Sequence, residues 1–312
     1  MAKFDFYLSN AAANSGANGR TREHARMACL AYGMQRLGHD VHIVSVWNEF
    51  QRNPLWKFFQ TLHGRPRNEA LTVHPAEAMD AGNKHCDVGI KCCLGNHDKD
   101  ELWLKRCQLY VARDVMPGLS GNERLLMVPH LVHYGVMMQL AEDGLFQAYL
   151  DDDVEAIREF YDAPKTDKIG FAGEDVAGRR EFAEKLQAEL GDVCDFRFDE
   201  RMPPGEYLRW MCSLRAALIL PGEREATYRF AEAVMLGVLT IIKEQAQPIE
   251  PPACVANSIA LWDWDDAPRI SRRFDFAEEM LFEADEFYRE YWSPTGQAGL
   301  AISKLGVTDG EV

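Results

Sequence analysis

The chain has no run of about 18 uninterrupted apolar residues, the length a helix needs to cross a bilayer, so a membrane-spanning helix is excluded. Its opening residues, Met1-Ala2-Lys3-Phe4-Asp5-Phe6, carry no basic patch ahead of a long apolar stretch. A secretory signal is therefore not expected. Cys-x-x-Cys does not occur; the eight cysteines, at 29, 86, 92, 93, 107, 194, 212 and 254, are scattered and several lie inside apolar runs. That distribution argues against a disulfide framework and for reduced thiols in a cytoplasmic protein. Gly-x-Gly-x-x-Gly is missing too, which disfavours NAD. Positive charge is scarce: 34 Lys and Arg stand against 49 Asp and Glu, a net charge of −15. The deficit is uneven. Residues 1–150 hold 16 basic against 15 acidic side chains, and the remainder 18 against 34. A polyanionic partner would meet less repulsion on the first half than the total implies.

What is present is a globular composition, 47% hydrophobic and 27% charged, in 312 residues. That is enough for two domains of ordinary size. Phe4 to Leu8 reads as a short buried strand, Asn14 to Arg22 as part of a loop of small residues, and Thr21 to Leu37 as a helix stopped by Gly38. Val41 to Val46 is the next strand, so the opening is a βαβ unit with a ligand edge at the carboxyl ends of its strands. Residues 50–80 read as loop apart from a helical stretch at Trp56 to Leu62. Asp87 to Ile90 and Cys107 to Ala112 extend the sheet. Residues 144–163 have a helical pattern, with Asp151-Asp152-Asp153 as a solvated helix start.

A second βα series runs through Lys168–Gly173, Arg179–Leu190, Asp195–Phe198, Glu206–Ser213, Ala216–Leu220, Tyr228–Leu236 and Val238–Ile242. The fold class expected is α/β, with two Rossmann-like domains whose parallel sheets face across a cleft. The boundaries are 1–163, 164–275, and a helical tail, 276–312, packing back toward the N-terminal domain.

The strongest chemical signal is Leu220 to Gly237, where a buried strand passes through a polar loop into a helix carrying Arg229 and Glu232. Three residues apart, guanidinium and carboxylate share a helix face. At a cleft the pair suits a nucleotide diphosphate, arginine forking onto phosphate oxygens beside the positive helix end, and the carboxylate taking the ribose hydroxyls. The plain alternative is a surface ion pair. Upstream, Gly170, Gly173 and Gly178 would let backbone N–H groups approach an anion. An ordinary strand-to-helix turn is the alternative there.

"Thr-Tyr-Arg-Phe-Ala-Glu-Ala…Gly-Val-Leu-Thr-Ile-Ile" resembles the donor-binding helix and following strand of GT-B glycosyltransferases, among them exostosin-like enzymes and the bacteriophage DNA β-glucosyltransferase family. Ile169 to Glu181 is similar to the latter family's Gly-rich loop, with Arg180 at the place of its phosphate-binding arginine. It departs at Val176, where that family has another arginine. Tyr110 to Pro117 resembles the segment bearing the family's catalytic aspartate, which places that role on Asp114. The first loop resembles one that reaches across the cleft, implying contacts from Gly16, Gly19 and Glu23.

The resemblance implies transfer of a sugar from a UDP-sugar, glucose foremost, to an acceptor hydroxyl, with 5-hydroxymethylpyrimidine in DNA as the acceptor in the phage enzymes. It implies no required cofactor and no metal ligand set. The spacing of Cys86, Cys92, Cys93 and His97 is likewise poor for zinc. A phage-encoded protein of this kind works in the host cytoplasm. A saccharide acceptor and a non-catalytic nucleotide-sugar binder stay open as other readings.

Overall fold

The computed structural model describes residues 1–8, 17–80, 85–91, 97–112, 118–119, 121–128, 131–176, 178–220, 228–243, 258–261, 285–286 and 288–307. Gly16, Asp114, Cys92, Cys93 and the Trp262–Asp266 segment fall outside them.

Eleven described strands form two wholly parallel sheets. The first takes β1 (Lys3–Tyr7), β2 (Asp40–Ser45), β3 (Leu71–Pro75), β4 (Cys86–Ile90), β5 (Cys107–Ala112) and β6 (Leu125–Met127), in the order β2-β1-β3-β4-β5-β6. The second takes β7 (Ile169–Gly173), β8 (Cys194–Phe198), β9 (Ala216–Ile219), β10 (Leu239–Lys243) and β11 (Ser258–Leu261), in the order β11-β10-β9-β7-β8. Strands β7 and β9 are short apolar runs buried almost throughout, as parallel strands under crossover helices must be, whereas the edge strand β8 is only half-buried. Strand order reverses between β1 and β3 in one sheet and between β7 and β9 in the other. Such switch points open crevices at the carboxyl ends of the strands.

The helices are α1 (Ala17–Arg36), α2 (Asn48–Gln51), α3 (Asp100–Arg106), α4 (Tyr134–Glu142), α5 (Phe146–Leu150), α6 (Val154–Tyr161), α7 (Arg179–Leu190), α8 (Pro204–Ser213), α9 (Tyr228–Met235) and α10 (Pro294–Lys304). None of the described helices is long and apolar enough to cross a membrane. The C-terminal α10 lies against α1. A Cβ on Gly33 of α1 would come within 2.3 Å of the Pro294 carbonyl oxygen, so the close crossing depends on that glycine. One apolar cluster runs from β1 and α1 through α4–α6 to α8 and α9 and touches both sheets, while two smaller clusters stand apart from it, one around Phe171 and Leu218 and one around Trp103 and Tyr110.

Four local expectations need correction. Helix α1 begins at Ala17, so Gly19 lies in its first turn and not in a loop. Once a turn exists, each added residue gains a backbone bond, and this outweighs the turn preference of Asn18 and Gly19. Leu71–Pro75, read as loop, is a central strand paired with β1 and β4. Residues 144–163 break into α5 and α6 at Asp152, which adopts φ 59°. Of the three aspartates there, Asp153 does begin a helix, accepting the Ala156 N–H at 3.2 Å. Asp152 instead turns its carboxylate inward to Arg36, 3.2 Å away.

Candidate functional site

Between the two sheets, at the carboxyl end of β7 and the start of α9, lies a cleft of about 890 Å³. One wall is His133 and Gly135 at the head of α4; the other comprises Gly173, Arg179, Tyr207, Tyr228, Arg229 and Glu232.

Arg229 is fixed by the end of β7: its Nε donates to the Ala172 carbonyl at 2.6 Å, and its guanidinium lies 5.4 Å from the Phe171 ring centre. It fills the space that a side chain at position 173 would take, since a Cβ there would stand 2.3 Å from Nη2. Gly173 thus serves the arginine directly. Gly170 serves packing instead, its missing Cβ making room for Leu214 and Trp210. Gly178, at φ 75°, starts α7 from the left-handed region that a residue with a Cβ seldom adopts.

That start sets the phase of α7, and it separates the two arginines that follow. Arg180, the expected phosphate ligand, points outward with its side chain 44% exposed. It is held by Asp175 at 3.0 Å and Asp199 at 2.9 Å, and it lies over Phe198. Arg179 takes the cleft position. It is only 5% exposed, donates Nη1 to the Glu174 carbonyl at 2.9 Å, and shares the Phe171 ring with Arg229 at 5.7 Å. Burial first, then the neighbouring Arg229 charge, pulls the Arg179 pKa below the ordinary arginine value. Two guanidiniums on one ring, at a helix start and a strand end, form a positive site complementary to a phosphate pair.

Glu232 is 2% exposed and already engaged across the cleft. Its Oε1 accepts the His133 backbone N–H at 2.9 Å, and its Oε2 accepts the Tyr207 hydroxyl at 2.8 Å. Burial raises its pKa, against the lowering pull of those two bonds and of Arg229. Each carboxylate oxygen has a second lone pair for a ligand hydroxyl. The Arg229–Glu232 pair is therefore no surface ion pair: both side chains line the cleft.

His133 caps α4, its Nδ1 accepting the Gly135 N–H at 3.1 Å, and its ring meets Tyr228 edge-on at 5.2 Å. Burial, then Arg22, Arg26 and Arg229, pull its pKa down to about 4. It is neutral at physiological pH, chiefly because it is buried, with the three arginines adding to the effect.

Glu23 lies away from this cleft, in an inner pocket of the first sheet, where it pairs with Arg26 at 2.7 Å. Gly173, Arg229 and Glu232 are thus brought together, while Arg180 and Glu23 are not. Arg179, His133 and Tyr207 are cleft residues that sequence reasoning missed. For Arg179 the one available signal was the paired "Arg-Arg" after a glycine; for His133 and Tyr207 there was none. Among the described residues no group of three or more His, Cys, Asp or Glu side chains is placed to hold a metal.

No family model and no curated protein matches the chain. Solved structures resemble it. A glycosyltransferase from Rickettsia africae ESF-5 aligns with a TM-score of 0.45 at 11% identity, over 99% of this chain and 100% of that one. AviGT4, a glycosyltransferase involved in Avilamycin A biosynthesis, gives 0.45 at 12%, over 98% and 97%. A UDP-GlcNAc 2-epimerase from Neisseria meningitidis, bound to UDP-GlcNAc, gives 0.46 at 8%, over 99% and 100%. The fold class read from the sequence holds in the chain's own topology: two parallel α/β sheets facing a cleft, the GT-B arrangement.

Proposed function

We propose that the chain is a nucleotide-sugar-dependent glycosyltransferase, with residues 164–275 holding the donor and residues 1–163 holding the acceptor and a base. The observation that carries this reading is the Arg179–Arg229 pair on Phe171, cleared by Gly173 and facing a cleft at a sheet's switch point. A nucleoside diphosphate supplies the two negative charges this site lacks, and Glu232 has lone pairs left for a ribose. UDP-glucose is the donor favoured by the sequence resemblance.

In the reaction, the acceptor hydroxyl gives its proton to Asp114 as its oxygen attacks the anomeric carbon. The bond from that carbon to the diphosphate breaks, and UDP leaves with the electron pair. Arg179, Arg229 and the start of α9 stabilise the charge that develops there, which is the role a cation could otherwise fill. Asp114 follows two residues after β5, whose carboxyl end lies on the ligand side of its sheet. One-step displacement gives inversion at the sugar.

The first test is a thermal-shift comparison of UDP, UDP-glucose and NAD, in which the uridine ligands stabilise and NAD does not. The second is transfer from labelled UDP-glucose. Asp114→Ala keeps UDP binding and loses turnover; if wild type binds UDP yet turns over no donor, the chain is a binding protein. The acceptor follows from offering hydroxymethylated DNA, plain DNA and oligosaccharides. Label on hydroxymethylated DNA alone fits the phage-type reaction, and label on a saccharide alone moves the reading to the exostosin-like one.

A further inference from the structure

Tyr207 lines the cleft from the first turn of α8, and the sequence around it fixes that turn firmly. Pro203 caps the helix and Pro204 occupies its first position, where a missing N–H costs nothing and the ring presets the backbone. The Tyr207 N–H then closes the turn on the Pro203 carbonyl at 2.9 Å. Gly205 seats the turn against α4, since a Cβ there would stand 3.3 Å from the side-chain amide of Gln139. One turn on, Trp210 leans on the Tyr207 ring with centres 6.1 Å apart, and its indole N–H is held by Asp195 at 2.7 Å. The tyrosine is thus a rigid, half-buried ring whose hydroxyl has one place to go.

That place is Glu232. The hydroxyl donates to Oε2 at 2.8 Å, while Oε1 accepts the His133 N–H at 2.9 Å. Arg229, one turn away on α9, gives its Nε to the Ala172 carbonyl, so the hold on the carboxylate falls to Tyr207 and His133, one from each lobe. The last torsion of a glutamate is a broad, soft one. A donor on each oxygen removes that freedom before a ligand arrives, and a group ordered in advance loses less on binding. With the His133 bond alone, the carboxylate could swing about it.

The remaining lone pairs, one on each oxygen, suit two neighbouring hydroxyls such as those of a ribose. The tyrosine also favours the charged form that accepts them. Burial raises the Glu232 pKa, and the bonds from His133 and Tyr207, with the Arg229 charge, oppose that rise. A protonated oxygen would offer a diol one acceptor fewer.

We propose that Tyr207 is a positioning residue of the donor site: by holding Glu232 it aligns the carboxylate with the ribose diol and sets a preference for ribonucleotide over deoxyribonucleotide donors. This rests on the nucleotide-sugar reading above.

The test titrates the full chain calorimetrically with UDP, 2′-deoxy-UDP and 3′-deoxy-UDP. Wild type binds UDP about tenfold or more tighter than at least one deoxy analogue, because a hydroxyl withheld from a buried carboxylate leaves it short of a partner. Tyr207→Phe keeps the ring and removes the hydroxyl. Its UDP affinity falls about tenfold, its affinity for the discriminated analogue stays within about threefold, and the preference collapses. A tyrosine that merely supported the cleft would weaken all three ligands alike. The proposal is overturned by that uniform loss, by a variant that keeps the wild-type preference, or by a wild type that shows none. UDP binding without preference defeats this proposal alone, whereas binding of none of the three defeats the nucleotide reading with it. Should Tyr207→Phe not fold, Tyr207→Met, apolar and adaptable enough to fill the space, takes its place in the same comparison.

Discussion

Gly173 and Arg229 compete for the same few cubic ångströms, which makes the glycine a sharp probe of the arginine. A Cβ at 173 would meet Nη2 at 2.3 Å and Cζ at 2.9 Å, so Gly173→Ala must move the guanidinium off Phe171. The clashing atoms are the end of a side chain and not backbone, so the guanidinium can give up its place and the fold should survive. We expect Gly173→Ala to weaken UDP binding by about tenfold, or ~1.4 kcal/mol, with little change in melting temperature. Unchanged affinity in a titration of that variant would separate Arg229 from the donor.

His133 supplies a second residue-level prediction, through pH. Its folded pKa of about 4 lies below the 6.5 of an exposed histidine. Its stabilising contribution is therefore whole above pH 6.5 and is lost as pH falls toward 4, where the buried ring must take a proton beside Arg22, Arg26 and Arg229. The size is on the order of 2 kcal/mol after allowance for partial exposure. Glu232 acts in the opposite sense. Its raised pKa means the folded chain keeps that proton longer than the unfolded one, so it removes stability as pH rises. His133→Asn can still accept the Gly135 N–H and has no proton to gain. Denaturant unfolding between pH 4 and 7 should show a flatter profile for the variant than for wild type; equal slopes would assign the acid loss to other groups.

At the scale of elements, the crossing of α1 and α10 is the contact most exposed to a single atom. The atom facing Gly33 is a backbone carbonyl, at 2.3 Å from an added Cβ, and a carbonyl cannot rotate away as a side chain can. Gly33→Ala should therefore displace α10 and cost ~1–3 kcal/mol, in contrast to Gly173→Ala. A fall in the urea midpoint at constant slope would register it.

The elements also show what could be read in advance. The strands Phe4–Leu8, Ile169–Gly173 and Ala216–Leu220 and the helix from Tyr228 were legible because apolar runs end in turn residues at the right spacing. Strand β3 was not, since Leu71-Thr72-Val73-His74-Pro75 has two polar side chains and ends in proline. What makes it a strand is pairing with β1 and β4, partners distant in the chain. The same limit applies at the site. Arg229 and Glu232 announce themselves by spacing on one helix. The choice of Arg179 over Arg180 depends on how Gly178 phases α7, and the bond from His133 to Glu232 joins residues 99 apart.

For the whole molecule the question is whether the two sheets behave as separate domains. A cleft of about 890 Å³ suggests independence, but the packing behind it argues otherwise. Helices α4, α5 and α6 share one apolar cluster with α8 and α9, and Trp292 closes it, its ring tilted against Phe230 with centres 4.4 Å apart. Polar ties reinforce it, with Glu232 reaching His133 and Arg158 of α6 holding the last carbonyls of α9. Interfaces between independently folding domains are usually smaller and more polar. We therefore expect a single calorimetric transition, coincident with loss of the far-ultraviolet helical signal. UDP at about 100 times its dissociation constant should shift that one transition upward as a unit, by ~2.7 kcal/mol of stabilisation. Two separated transitions, with only one moved by UDP, would mean that the shared apolar cluster does not couple the lobes. In that case the His133–Glu232 bond would be an adjustable contact, and donor binding could open or close the cleft without strain in either sheet.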